Sequence, residues 1–185
     1  LRKIPANSEL NFHLKTENKL SLKSDNSDFN LLCLPSDNFP SFADEFEGTE
    51  MSLNNSKFLK LLNKTKISIS NDDTRHYLNG VFLHLTEGHG RSFLTGVATD
   101  SHRLSSSSLE IEKANEFSPL ILPRKTVFQL SSLLTENNEK LYIQTSENKI
   151  KFTIGNIKLI SKVIDGKFPD YKKVVPTNNK KILKV

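Results

Sequence analysis

A single cysteine, Cys33, stands in a chain of 185 residues, so no disulfide can close within it. The five histidines are scattered at positions 13, 76, 84, 89 and 102; with Cys33 they supply no zinc-ligand spacing, and no metal site is expected. His84 and His89 form neither an i, i+4 helical pair nor a zincin motif, and both read as surface histidines. There is no Walker loop and no Gly-x-Gly-x-x-Gly cradle, so a nucleotide has no phosphate site and no cofactor is expected. A Gly-x-Ser-x-Gly elbow is also missing. No apolar run is long enough to span a membrane, and no signal peptide is read. The chain opens at Leu1 inside a strand-like pattern, and the expectation is a fragment of a longer cytoplasmic protein. Cys33, among Leu31, Leu32 and Leu34, reads as a small buried apolar residue rather than a reactive thiol.

What is present is an ordinary globular composition, 36% hydrophobic and 25% charged, with uneven charge. The formal net charge is +5, and residues 123–185 hold 13 Lys+Arg against 5 Asp+Glu. That excess fits either a solvated surface or a polyanion-binding face. A long-range repeat says more. Glu17-Asn18-Lys19-Leu20-Ser21-Leu22-Lys23, followed by Phe29 to Leu34 and Asp37-Asn38-Phe39-Pro40-Ser41-Phe42, is matched by Glu147-Asn148-Lys149-Ile150-Lys151-Phe152, Ile157 to Ile160 and Asp165-Gly166-Lys167-Phe168-Pro169-Asp170-Tyr171. Each copy is two alternating apolar runs leaving through Phe-Pro-x-aromatic, the pattern of antiparallel strands entering a fixed bend. The copies lie about 130 residues apart, a domain length, so the chain holds one whole domain and the tail of another.

Alternation predicts three strands, Leu10 to Leu14, Lys19 to Lys23 and Phe29 to Leu34, with Asp37 to Gly48 as linker. Ser56 is the expected N-cap of a helix to about Lys64, burying Phe58, Leu61, Leu62 and Thr65. Lys57, Lys60 and Lys64 then fall within about 60° of one another, a cationic stripe opposite the apolar face. Thr65 to Ser70 reads equally as strand or helix. Strands are predicted at Val81 to Thr86, Phe93 to Thr99 and Arg103 to Ile111, the first pair turning through Glu87-Gly88-His89-Gly90-Arg91. Pro123 suits the first turn of a second helix that buries Val127, Leu130, Leu133 and Leu134 and ends near Asn137-Asn138. Leu141–Thr145, Lys149–Ile154 and Ile157–Ile164 complete the strands, and the class is α+β, two helices on antiparallel sheet, in repeated half-domains.

Asp100, Ser101 and His102 contain the residue types of a catalytic triad, but contiguous side chains do not converge on one reacting atom. Asp72-Asp73 reads as a capped turn rather than an acid/base pair.

Three motifs in register, Arg75-His76-Tyr77-Leu78-Asn79-Gly80, Ala98-Thr99-Asp100-Ser101-His102-Arg103-Leu104 and Val163-Ile164-Asp165-Gly166-Lys167-Phe168-Pro169-Asp170-Tyr171, spaced around Leu122-Pro123-Arg124-Lys125, closely resemble the middle domain of the bacterial DNA polymerase III beta subunits, the replication sliding clamps. Residues 1–45 then resemble the end of the first clamp domain, 46–175 the second, and 176–185 the start of the third. The resemblance implies the DNA clamp fold and, for the full-length protein, a homodimeric ring whose helices surround duplex DNA. A partial chain is expected not to close that ring. The implied role is non-catalytic: processivity for the replicative polymerase, with the polymerase III alpha subunit, the clamp loader and other proteins docking by short motifs. Carried over by position, the docking pocket comprises Leu78, Thr99, His102, Arg103, Leu104, Pro169, Lys173 and Val174, and the DNA-facing residues comprise Lys57, Lys60, Lys64, Arg75, His76 and Tyr77. Ser101 stands where the family usually has Gly, and His76 where Tyr is common. Two rivals are a stand-alone nucleic-acid-binding module using the lysine-rich end and a hydrolase using His102.

Overall fold

The first unit, Leu1–Asp44, is a meander of β1 (Asn11–Thr16), β2 (Lys19–Ser24) and β3 (Ser27–Leu32). The computed structural model describes residues 4–25, 27–39, 46, 48–112, 117–135 and 139–176. Within this unit Leu22 is buried, whereas Phe12, Leu14, Leu32 and Leu34 are exposed. A single three-stranded layer cannot enclose both its faces. Cys33, expected to be buried, is for that reason only half-buried, its Sγ 3.9 Å from the Leu31 carbonyl oxygen.

The second unit, Glu45–Val185, repeats one plan, strand-helix-strand-strand-strand. The first copy is β4 (Thr49–Asn54), α1 (Asn55–Thr65), β5 (Gly80–Gly88), β6 (Arg91–Thr99) and β7 (Leu104–Ile111). The second is β8 (Leu120–Pro123), α2 (Arg124–Leu133), β9 (Lys140–Thr145), β10 (Lys149–Ile154) and β11 (Ile157–Lys162). The sheets run β11-β10-β9-β4 and β7-β6-β5-β8. Each copy therefore lends its leading strand to the other copy's sheet, Leu53 opposite Leu141 and Val81 opposite Leu122. A side chain at Gly80 would collide with the Leu122 carbonyl, so the exchange needs glycine there for close backbone approach.

Both leading strands escaped the sequence reading. Each runs into its helix without a turn, so its two or three apolar residues merge with the helical pattern. The shift also moves the cap. Asn54, not Ser56, caps α1: its Oδ1 accepts from the Lys57 amide at 3.1 Å and from the Ser56 hydroxyl at 2.9 Å. Thr65 turns its hydroxyl back onto the Leu61 carbonyl at 2.9 Å, α1 closes there, and the ambiguous continuation is a 3-10 turn, Lys66–Ser68, followed by extended Ile69. Pro123 is the cap of α2, which closes at Leu133; Asn137-Asn138 lie outside the described residues. The β5–β6 turn narrows to His89-Gly90, both at positive φ (51° and 73°), as a two-residue hairpin turn requires.

Strand parity then sorts the side chains. Leu83, Leu94, Ala98 and Leu122 face the helices and pack with Phe58, Leu61, Leu62, Val127 and Leu130. Phe152 meets Phe58 at 6.1 Å between ring centroids. Each of these buried Leu, Val and Phe side chains contributes roughly 1.5–3 kcal/mol relative to exposure. Phe82, Val97 and Ile121, one residue out of phase on the same strands, project from the opposite face of the sheet into a second cluster.

Candidate functional site

The second cluster buries Leu78, Val97, Ile121 and Phe168, with Tyr77, Phe82, Leu104, Ile164 and Tyr171 packed around them. Three connections build it: the 3-10 segment Asp73–Leu78, the turn between β6 and β7, and the chain leaving β11. Phe168 stacks on Phe82 at 4.8 Å with ring planes 6° apart, and Phe82 stacks in turn on His84 at 4.8 Å. His84 Nδ1 lies 3.0 Å from the Leu85 carbonyl and Nε2 lies 3.0 Å from the Tyr171 hydroxyl. A carbonyl only accepts, so Nδ1 carries the proton and neutral His84 accepts from Tyr171 through Nε2. His84 is therefore buried, not the surface residue expected, because the outer face of this sheet is covered by the Phe168–Tyr171 segment. Burial lowers its pKa and raises that of Tyr171.

Of the eight sequence-predicted pocket residues, Leu78 and Leu104 share this cluster, Leu78 only 2% exposed and Leu104 half-buried. Thr99, His102 and Arg103 share the turn beside it. Thr99 Oγ1 donates to the Arg103 carbonyl at 2.8 Å and accepts from the Ser101 amide at 3.1 Å. Asp100 accepts from the amides of His102 and Arg103 and from Arg103 Nε, each at 3.0 Å. The Arg103 and His102 amides, more than the guanidinium, hold its carboxyl below the usual range, so Asp100 organises the turn and leaves the His102 ring exposed. Pro169 lies between the two anchored aromatics, Phe168 and Tyr171, while Lys173 and Val174 follow, exposed, with Lys173 Nζ 3.2 Å from Asp170. The Arg103 and Lys173 pairs are solvent-exposed and give little stability, so both cations can exchange partners at small cost.

The DNA-facing candidates separate into two groups. Lys57, Lys60 and Lys64 are all exposed on α1, opposite Phe58, Leu61 and Leu62. Arg75, His76 and Tyr77 belong to the 3-10 segment beside the second cluster. Arg75 donates through Nε to Asp72 at 2.9 Å and through Nη1 to the Ser101 hydroxyl at 2.7 Å. Tyr77 is half-buried, with exposed His76 edge-on to it at 5.9 Å. Sequence reasoning missed a further basic group. Exposed Phe128 on α2 has the Arg124 guanidinium 5.2 Å and the Lys66 ammonium 5.8 Å from its ring centre, a pair of cations where α2 packs beside the turn that follows α1. The pairing of Arg124-Lys125 with Phe128 at i+3 or i+4 was the available signal.

Residues 52–170 match the family described as DNA polymerase III beta subunit, central domain. The chain belongs to this family. It is 35% identical over 185 residues to the beta sliding clamp of Caulobacter vibrioides, covering 99% of this chain and 50% of that protein. It is 35% identical over 182 residues to the Escherichia coli K12 beta sliding clamp, covering 98% and 48%. Among solved structures, the sliding clamp of Bartonella birtlesii bound to griselimycin superposes with a TM-score of 0.87 at 38% identity, covering 96% of this chain and 48% of that one. The chain thus spans about half the length of its clamp relatives. The paired helices on antiparallel sheets are the clamp fold. Among the described residues no helix is long and apolar enough to cross a membrane.

Proposed function

We propose that this chain acts within a replication sliding clamp, a non-catalytic cytoplasmic processivity factor that encircles duplex DNA as a homodimeric ring. One sheet divides two unlike surfaces, and this is the observation that supports the reading most. Val81, Leu83 and Leu122 pack toward α1 and α2, whose outward side carries Lys57, Lys60 and Lys64, while Phe82, Val97 and Ile121 build the aromatic cluster on the other side. A wall with cations inside and an apolar docking surface outside suits a clamp. Lysines hold phosphates without reading bases, so the protein is retained yet slides. Outside, Leu78 and Leu104 supply the floor for a Leu or Phe anchor of a linear motif, with Thr99, His102, Arg103, Pro169, Lys173 and Val174 around it. The partners proposed there are the polymerase III alpha subunit, the clamp loader and other proteins carrying clamp-binding motifs.

Duplex binding by this chain is expected to be weak, indifferent to sequence and steeply reduced by salt. Fluorescence anisotropy with two unrelated duplexes over a salt series tests it. A preference for one duplex, or a flat salt response, would contradict a sliding surface.

A further inference from the structure

Ser101 holds φ at 77°, a left-handed conformation that glycine adopts freely and a side chain with a Cβ resists. Serine at this φ carries a steric cost that its contacts offset. Its hydroxyl receives the Arg75 Nη1 hydrogen bond at 2.7 Å across 26 residues of sequence, and its amide donates to Thr99 Oγ1 at 3.1 Å. Arg75 is fixed from its other side by Asp72 at 2.9 Å. Asp72 in turn accepts from the Thr74 amide at 3.0 Å and the Thr74 hydroxyl at 2.6 Å, contacts that with Arg75 keep its carboxyl ionised below the usual range. Glycine would leave Arg75 without its second acceptor.

We propose that Ser101 is a positioning residue for motif docking: the chain Asp72–Arg75–Ser101 ties the 3-10 segment that delivers Leu78 to the turn that delivers His102, Arg103 and Leu104. The inference rests on the docking reading of this cluster. In this chain of contacts Arg75 acts as a brace, one N–H on Asp72 and one on Ser101. Preorganisation of this kind strengthens binding by removing the ordering cost of the turn rather than by adding a contact to the ligand.

The test is a double-mutant cycle on the 185-residue chain with a fluorescent hexapeptide bearing one Asp and a C-terminal Leu-Phe. Ser101→Gly relieves the backbone and deletes the hydroxyl, so its unfolding midpoint in urea stays at or above that of the parent while peptide affinity falls about three- to tenfold. Arg75→Ala is expected to lose a similar factor, and the double variant no more than either single one. The Arg75 Nε–H resonance, protected in the parent, should exchange faster in Ser101→Gly. Parental affinity in Ser101→Gly, or losses that multiply in the double variant, would overturn the positioning role while Leu104→Ala still weakens binding. If Leu104→Ala also left affinity unchanged, the docking reading itself would fall, and this inference with it.

Discussion

The two halves of the second unit share an order of elements but not the way their last two strands are joined. In the second half β10 turns into β11 through Gly155-Asn156, with Gly155 at φ 55°, the minimum a hairpin needs. At the equivalent place in the first half, Asp100-Ser101-His102-Arg103 separates β6 from β7. The link from helix to sheet differs in the same sense: residues 66–79 carry two 3-10 segments after α1, whereas six residues, 134–139, follow α2. Strand and helix positions repeat because they pack one core. The residues added beyond that repeat in the first half are those that gather Leu78, Thr99, His102, Arg103 and Leu104.

The strongest way to break this comparison is to make the halves alike. Replacing Asp100–Arg103 by Gly-Asn should leave the fold and duplex binding intact and reduce Leu-Phe peptide affinity at least tenfold, measured by anisotropy. Retained peptide affinity would show the added residues to be decoration. Leu78 and Leu104 sharpen the point, since one is buried and the other half-buried. Leu78→Ala should lower stability by about 2–4 kcal/mol in urea unfolding, whereas Leu104→Ala, half-buried, should weaken peptide binding several-fold with a smaller shift in the unfolding midpoint. Equal stability losses would erase the distinction.

The helices offer a second contrast. α1 presents three lysines outward, while α2 presents Arg124 over an exposed Phe128 and, next to Arg124 in sequence, an exposed Lys125. Lys57→Glu, Lys60→Glu and Lys64→Glu together should lower the salt slope of duplex binding by about 2–3, and Arg124→Glu with Lys125→Glu by about 1–2. An unchanged slope in the triple variant would leave the stripe as a solvated face.

The smallest expected effect is on pH. His84 has a lowered folded pKa, so the unfolded chain binds its proton more readily. The stability this site contributes is complete above about 6.5, its ordinary value, and is lost as pH falls through the lower folded value. The difference in urea midpoint between the parent and His84→Gln should therefore shrink with acidification. A constant difference from pH 8 to pH 5 would mean that His84 titrates alike in both states.

Much of this was legible in the residues. The alternation in Val81–Thr86, Lys149–Ile154 and the Phe168-Pro169 exit marked strands and bend, and the spacing of Phe58, Leu61 and Leu62 marked α1 together with its lysine face. β4 and β8 were hidden because each is paired in the other half's sheet and fused to its own helix, so local pattern carried no boundary. His84 was misread because its covering comes from Phe168 and Tyr171, more than 80 residues away. The Arg75–Ser101 bond was equally out of reach, since no spacing rule joins a 3-10 segment to a strand turn.

Two separate surfaces on one sheet are the core of this account, and a heteronuclear NMR titration of the labelled chain, first with a duplex and then with the Leu-Phe peptide, examines them together. Duplex should shift Lys57, Lys60, Lys64 and the start of α2; peptide should shift Leu78, Thr99 to Leu104 and Phe168 to Val174, with little overlap. Peptide shifts centred on α1, or a duplex that displaces the peptide from residues 99–104, would contradict it.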